Sequence, residues 1–486
     1  MADKKNDIRR SVIGNLIWRF SERTAAQGMQ FIVSIVLARM LLPEDYGTIS
    51  LITVFINILS IFVQSGFGNA LIQKKHADQI DFSSVFYFNI FIGVLLYIIL
   101  FASAPLIAAF YQNAQLVPLM RVLGINLIIG GVNGVQQAYV SRQMQFKKFF
   151  FSTLIGTVLS GALGIFMAYR GAGVWALVIQ NLTNQFLNTA VLWITVKWRP
   201  QAVFSLKRIR QMFSFGSKLL ASSLIDCIYN NLYPLFIGKV YSSSSLAYFN
   251  RGNHIPSFLV SNINSSIQSV LLPALSGQQD EKERLKAMVR RGITTSTFFL
   301  APAMIGLAAI ARPLTIILLT EKWLPSVPFM QCYCLVYLFW PIHTTNLQAI
   351  NAVGRSDIYL KLEIVKKLFG FLVLLITIPM GLYAMMGGIC LVSLLSTLFN
   401  AAPNKKILNY GYSEQFRDIF PSLLLSAAMG LIIWPISLLD INIYLMLVLQ
   451  IVLGVIIYLG GAAFFKLEMF LYLRNLLAAA KMHRGF

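Results

Sequence analysis

The feature that most constrains this chain is the recurrence of apolar runs about 20 residues long, separated by short polar connections. A helix of that length matches the hydrocarbon thickness of a bilayer, and backbone facing lipid must satisfy its own hydrogen bonds. The chain is therefore expected to fold as an all-α polytopic membrane protein. Counting runs predicts about 14 spans, near 12–38, 48–67, 84–110, 119–139, 150–169, 174–196, 214–240, 253–275, 293–320, 329–352, 362–383, 386–402, 418–439 and 443–465. Between 362 and 402 the apolar run is broken only by Gly381, Gly387 and Gly388, so one broken helix and two helices both fit. With 57% hydrophobic and 12% charged residues and a mean hydropathy of +0.69, no segment between runs offers a soluble domain. Met1 to Arg10 is polar, and the run after it is too long for a signal peptide and lacks a small-residue cleavage site.

A formal net charge of +22 raises the question of a nucleic-acid partner, and the placement of the charges answers it. Basic residues crowd the even-numbered connections: Lys74-Lys75, Arg142 with Lys147-Lys148, Lys197 to Arg210, Lys282 to Arg291, Arg355 with Lys361, and Lys405-Lys406 with Arg417. Odd-numbered connections hold Arg39, Arg170, Arg251, Lys322 and little else. About thirty Lys or Arg against about four puts both chain ends in the cytoplasm and needs no polyanion. Cys227, Cys332, Cys334 and Cys390 lie in apolar runs without metal-ligand spacing and read as small core residues.

The chain reads as carrying an internal repeat, with chance matching between apolar runs of restricted alphabet as the competing reading. From Ala38 to Gly47 and from Gly238 to Ala247 the spacing is identical, each stretch closing a polar-striped run. Gln136 to Arg142 is echoed by Gln348 to Arg355, and Tyr169 to Gly173 by Tyr383 to Gly388. Six spans per unit is even, so both units enter the membrane from the same side. The expected architecture is two six-helix lobes related by a pseudo-twofold along the membrane normal, plus two C-terminal helices. The expected limits are 1–200 for the N-terminal lobe, 201–410 for the C-terminal lobe, and 411–486 for the extra helices and a cytoplasmic tail.

The first span carries charge at membrane depth. Asn15, Arg19, Glu22 with Arg23, Gln30 and Ser34 recur along one helix face over about 30 Å. Such residues normally face a bundle interior or a watery cavity. The bland reading is that Arg19 and Arg23 snorkel to headgroups, but a snorkelling anchor has no use for the outer half of the stripe. Similar stripes follow in span two (Ser50, Thr53, Asn57, Ser60, Gln64), span seven (Lys218, Ser222, Asp226, Asn230, Tyr233) and span eight (Ser257, Ser261, Asn264, Gln268, beside Arg251 and His254). The expectation is a central cavity lined by these four spans, with Arg19, Arg23, Lys218, Arg251, Asn57, Gln64, Asn230 and Gln268 as substrate contacts. For the Ser and Thr members, hydrogen-bond glue in a closed bundle is the competing reading. Excess positive charge suits an anionic group such as a phosphate or diphosphate. Glu22, Asp226 and His254 are the candidates for ion coupling, with a static ion pair as the alternative. Arg121 and Arg312 read as span-end anchors. No His cluster, Gly-rich phosphate loop or large external loop supports catalysis, a metal or a cofactor.

Several stretches together carry a resemblance. They are Leu37-Ala38-Arg39 through Pro43-Glu44-Asp45-Tyr46-Gly47, Gly66 to Lys75, Tyr248-Phe249-Asn250-Arg251-Gly252, Leu272 to Ser276 with the charged Gln279 to Arg291 loop, and Glu321-Lys322-Trp323. In order and spacing the chain resembles the Wzx-type polysaccharide flippases of the multidrug/oligosaccharidyl-lipid/polysaccharide exporter superfamily. The resemblance implies a two-lobed plasma-membrane transporter that moves undecaprenyl-diphosphate-linked oligosaccharide by alternating access. It further implies work alongside a polysaccharide polymerase and chain-length machinery. A multidrug exporter of the same superfamily, which should prefer an acidic cavity, and a membrane glycosyltransferase or polymerase are the alternatives.

Overall fold

The computed structural model describes residues 27–64, 67–276 and 281–483, and within them the side chains of all but 214–215, 265–274, 276 and 476–483. The regular structure of the described residues is all helical, with no strand among them. They divide into two compact units, Met1–Ala247 and Tyr248–Phe486.

The first unit contains α1 (Gln27–Met40), α2 (Pro43–Gln64), α3 (Phe67–Gln73), α4 (Gln79–Tyr111), α5 (Leu116–Leu123), α6 (Ile125–Arg142), α7 (Phe146–Tyr169), α8 (Val174–Thr195) and α9 (Leu206–Val240). The long helix α10 (Ser243–Ser276) starts in it. The second unit continues with α11 (Lys282–Ala309), α12 (Ala311–Leu319), α13 (Val327–Leu338), α14 (Trp340–Ala352), α15 (Ser356–Thr377), α16 (Leu382–Leu408), α17 (Tyr412–Ile433), α18 (Ile443–Phe464) and α19 (Glu468–His483). Among the described residues, eight helical stretches are long and apolar enough to cross a membrane. Helices α8, α9, α10 and α15 have the length but interrupt their apolar surface with polar residues. The stretch from 362 to 402 is two helices: α15 ends in a 3-10 turn, Ile378–Met380, and Gly381 takes φ 108°, a conformation that side-chain-bearing residues avoid.

Close helix packing uses glycine, as expected where lipid gives helices no hydrophobic reason to associate. A Cβ on Gly93 of α4 would lie 2.8 Å from the Leu127 carbonyl oxygen of α6, and one on Gly131 of α6 would lie 2.7 Å from that of Asn89. Both obstacles are backbone and cannot swing aside. Gly93→Val should therefore destabilise the first unit by about 1–3 kcal/mol, read as a lower unfolding midpoint in detergent. Gly68→Ala, which meets nothing within 4 Å, should leave the midpoint unchanged.

A polar clasp fixes one end of the first unit. Asp78 caps α4 by accepting from the Asp81 N–H at 2.9 Å, and the Asp81 carboxylate accepts in return from the Asp78 N–H at 3.1 Å. Asp81 is fully buried and ion-paired to Lys74 at 2.6 Å and Arg208 at 3.5 Å. The Asp81 N–H donated to Asp78, together with Arg208 beside it, holds the Asp78 carboxyl below the usual range, against some desolvation. Arg142 donates to the carbonyls of Leu71, Lys74 and Lys75. The strap from 196 to 205 is fastened to the same end of α4: Ser83 and Ser84 accept from the Gln201 and Ser205 N–H groups, and Gln79 bonds Trp198 and the Arg199 carbonyl.

The second unit has a corresponding polar knot. The Asn346 amide donates to Gln415 Oε1 at 2.8 Å, and Asn346 Oδ1 accepts from Asn404 at 2.6 Å and from Gln415 at 3.0 Å. All three side chains are buried and join α14, α16 and α17. One turn deeper, His343 lies between Thr397 and Asn400, 3.1 Å from each.

Candidate functional site

Within the first unit, α2, α6 and α8 line an open pocket of about 320 Å³ whose polar lining is entirely uncharged. Asn57, Ser60 and Gln64 fall at i, i+3 and i+7 on α2 and so share one face. Asn181 and Gln185 do the same at i and i+4 on α8, and Asn126 projects from the first turn of α6. Ile56 and Ile61 complete the wall. Asn126 donates to Asn181 Oδ1 at 2.9 Å, which fixes the two amides against each other. The other acceptor of this pair, Asn126 Oδ1, is buried without a partner. Among the described residues, the side chains of Asn57, Ser60, Gln64 and Gln185 make no hydrogen bond. Gln64 lies along bare backbone, because Gly130 on α6 would place a Cβ 3.3 Å from its Nε2. Each amide offers two donors and an acceptor, so the cavity presents a dense, neutral set of both kinds.

The cavity thus unites Asn57 and Gln64 of the expected contacts and adds Asn126, Asn181 and Gln185. These three lie in expected spans four and six, outside the four striped spans; Asn181 and Gln185 at helical spacing are the signal the sequence offers. The N-terminal half of the α2 stripe behaves differently. Ser50 and Thr53 donate to the carbonyls of Tyr46 and Ile49 in their own helix, and Ser261 of α10 likewise to Phe258.

Arg19, Glu22 and Arg23 lie outside the described residues, and the Gln268 side chain does too. On α9, Lys218, Asp226 and Asn230 are all exposed. On α10, Arg251 is buried, its guanidinium 4.9 Å from the centroid of the Trp323 ring, and His254 is exposed. Arg121 packs over the Phe101 ring at 4.1 Å.

A model of the family described as polysaccharide biosynthesis protein matches residues 36–328. The chain belongs to the polysaccharide biosynthesis protein family. It is 28% identical over 393 residues to the teichuronic acid biosynthesis protein TuaB of Bacillus subtilis (strain 168), covering 79% of this chain and 80% of that one. It is 22% identical over 443 residues to the lipopolysaccharide biosynthesis protein WzxC of Escherichia coli (strain K12), covering 88% and 89%. In fold it is similar to the lipid II flippase MurJ in an inward closed conformation, with a TM-score of 0.74, 15% identity, and 96% and 100% of the two chains covered. An inward-facing multidrug resistance MATE family transporter of the MOP superfamily gives 0.58, 16% identity, and 78% and 95%.

In this polysaccharide biosynthesis family member, the stretches that carry the resemblance do structural work. Tyr248 packs edge-on against Trp323, Phe249 against Phe329 and Tyr333, and Gly252 sits against the Phe329 and Met330 backbone. Gly47 lies directly on the Ser243 backbone. The Leu71 to Lys75 turn is the loop that Arg142 holds. A second charged stripe, unlisted among the expected contacts, runs on α15: Glu363 and Lys366 pair at 2.5 Å with only 26% and 14% of their side chains exposed. Lys366 lies ten residues into the helix, about 15 Å from its start. Its signal in the sequence is the triplet Glu363, Lys366 and Lys367 inside expected span eleven.

Proposed function

We propose that this protein is a flippase that carries undecaprenyl-diphosphate-linked oligosaccharide across the bacterial plasma membrane by alternating access, for exopolysaccharide, O-antigen or capsule-type synthesis. It acts as a transporter and not as an enzyme. The observation that carries the reading is the amide-lined cavity of the first unit, with four unpartnered side chains and no carboxylate. Sugar hydroxyls both donate and accept, and a neutral set of amides matches them without the desolvation that charged partners would cost. A site built for drug cations would need the negative charge that this lining lacks. Arg19, Arg23 and Lys218 are then the groups for the diphosphate, since charge-assisted hydrogen bonds to phosphate are the strong ones. Both chain ends lie in the cytoplasm in this reading, and the flipped unit passes to the polymerase and chain-length machinery.

The test is transport of a fluorescent lipid-linked oligosaccharide in reconstituted vesicles. Asn57→Leu with Gln64→Leu and Asn181→Leu should cut the rate at least tenfold, a loss of about 1.4 kcal/mol or more, with unchanged unfolding in detergent. Wild-type transport by the triple variant would overturn the assignment of the cavity to the glycan.

A further inference from the structure

In each unit a span breaks at membrane depth, and a polar side chain stands in the first turn after the break. In the first unit α5 gives way to α6 at Gly124, and Asn126 of the amide-lined pocket follows. In the second unit α13 gives way to α14 at Phe339, Pro341 lies in the first turn of the new helix, and His343 follows. Corresponding interruptions in the two halves of a transporter point to where it binds its ligands. His343 lies nine residues before the end of α14, about 14 Å, and Lys366 lies about 15 Å into α15 from the other side of the same short connection. Both therefore sit near the middle of a hydrocarbon core about 30 Å thick, where an ionisable side chain is expensive and usually functional.

The hydrogen bonds around the ring assign its proton. Thr397 has one hydroxyl hydrogen and gives it to the Ser393 carbonyl at 3.0 Å, so its oxygen accepts from His343 Nε2–H at 3.1 Å. Asn400 donates an amide N–H to Nδ1 at 3.1 Å, so the ring is neutral. Asn400 is fully buried, and its Oδ1 has no partner. A histidine that only tied α14 to α16 would not need that orphan, which costs about 1–3 kcal/mol. Turning the amide over by half a turn brings Oδ1 to Nδ1 and gives a doubly protonated ring an acceptor on each side. One amide rotation thus converts a cage for imidazole into a cage for imidazolium.

We propose that His343 is a proton-binding group of the transport cycle, with Asn400 as the positioning residue that follows its charge; the proposal rests on the flippase reading. On uptake, a proton from water forms the Nδ1–H bond, and the Asn400 amide withdraws its N–H and offers Oδ1. On release, that bond breaks to water on the other side. Helix α14 packs against α11, α13, α15 and α16. The titratable groups of α13 are Cys332, Tyr333, Cys334 and Tyr337, and it carries no charge. The charges of α11 lie between Lys282 and Arg291, and Arg290 and Arg291 turn to Asp418 and Tyr472. Lys405 and Lys406 lie in the last turn of α16. Helix α15 brings Glu363, Lys366 and Lys367; among the described residues Lys366 is the charge that bears on the ring, and it is paired with Glu363 at 2.5 Å. Lys366 repels a second positive charge in this arrangement, so the charged ring favours a rearranged bundle. A proton biases a cycle only when two conformations hold it unequally. An inward proton gradient drives the glycan outward by exchange.

The experiment follows a fluorescent lipid-linked oligosaccharide in vesicles holding the purified full chain, with a pH difference of about one unit and the membrane potential clamped at zero. One proton exchanged per substrate should hold the substrate at steady state in about tenfold excess on the acid side, a factor of ten per pH unit. A protonophore should return it to an even distribution. His343→Gln keeps a donor and an acceptor in the cage but takes up no proton, so it should lose the excess. Asn400→Leu removes the acceptor that the charged ring needs; it should leave about twofold or less, and it reports on the site even if the glutamine variant does not fold. A variant that is merely less stable reaches the same distribution more slowly, so a structural role alone does not move this readout. An even distribution with wild type although substrate crosses, or the full excess kept by either variant, would overturn the proposal and leave the flippase reading standing. No crossing by wild type under any condition would overturn that reading, and this proposal with it.

Discussion

Asp81→Ala should destabilise the first unit by about 3 kcal/mol and sharply lower the amount of folded protein in the membrane. The figure is the low end of what removing one partner of a buried ion pair costs. Lys74 and Arg208 keep 28% and 35% of their side chains exposed, so each regains water once its partner is gone. What cannot be recovered is the acceptor for the Asp78 N–H and the anchor that Lys74 and Arg208 share. Asp81→Asn keeps an acceptor oxygen and loses only the charge, so it should fall between wild type and alanine. Unfolding of the purified variants in detergent checks the order, and an unchanged midpoint for Asp81→Ala would remove the clasp from the account.

Replacing Arg19 and Arg23 together with Ala should reduce transport to background while protein in the membrane stays at its normal level. The expectation follows from reading the first-span stripe as a cavity wall: guanidinium groups held at membrane depth would pair poorly with lipid but well with a diphosphate. Lysine at both positions keeps the charge and loses the bidentate fork, so it should restore only part of the rate. Flipping of labelled substrate in vesicles is the measurement. Full activity in the double alanine variant would return both residues to the role of headgroup anchors.

Helix content and the membrane class were legible because length and hydropathy report directly on bilayer thickness. The run from 362 to 402 reads as one helix or two, although Pro379, two residues before Gly381 and without a backbone donor, carries the signal for the break. The candidate site was half legible. Asn57 and Gln64 stood out on a helix whose polar residues repeat at helical spacing, whereas Asn126, Asn181 and Gln185 become a group only when α6 and α8 converge on α2. Arg251 shows the reverse difficulty. Its charge drew attention in the sequence, and the structure buries it on Trp323, a residue 72 positions away that no local pattern could supply. The described stretches that carry the resemblance, Tyr248 to Gly252 among them, are packing devices and say little about the sugar.

The strap from 196 to 205 has a practical consequence. As a non-helical, basic connection flanked by long helices, it looks like a place to splice a fluorescent protein or an epitope. Yet Gln201 and Ser205 lend their main-chain N–H groups to serines of α4, and the Trp198 indole and Arg199 carbonyl are taken up by Gln79. A cut there would strand those partners, so a reporter is better carried on a segment whose main chain is unengaged.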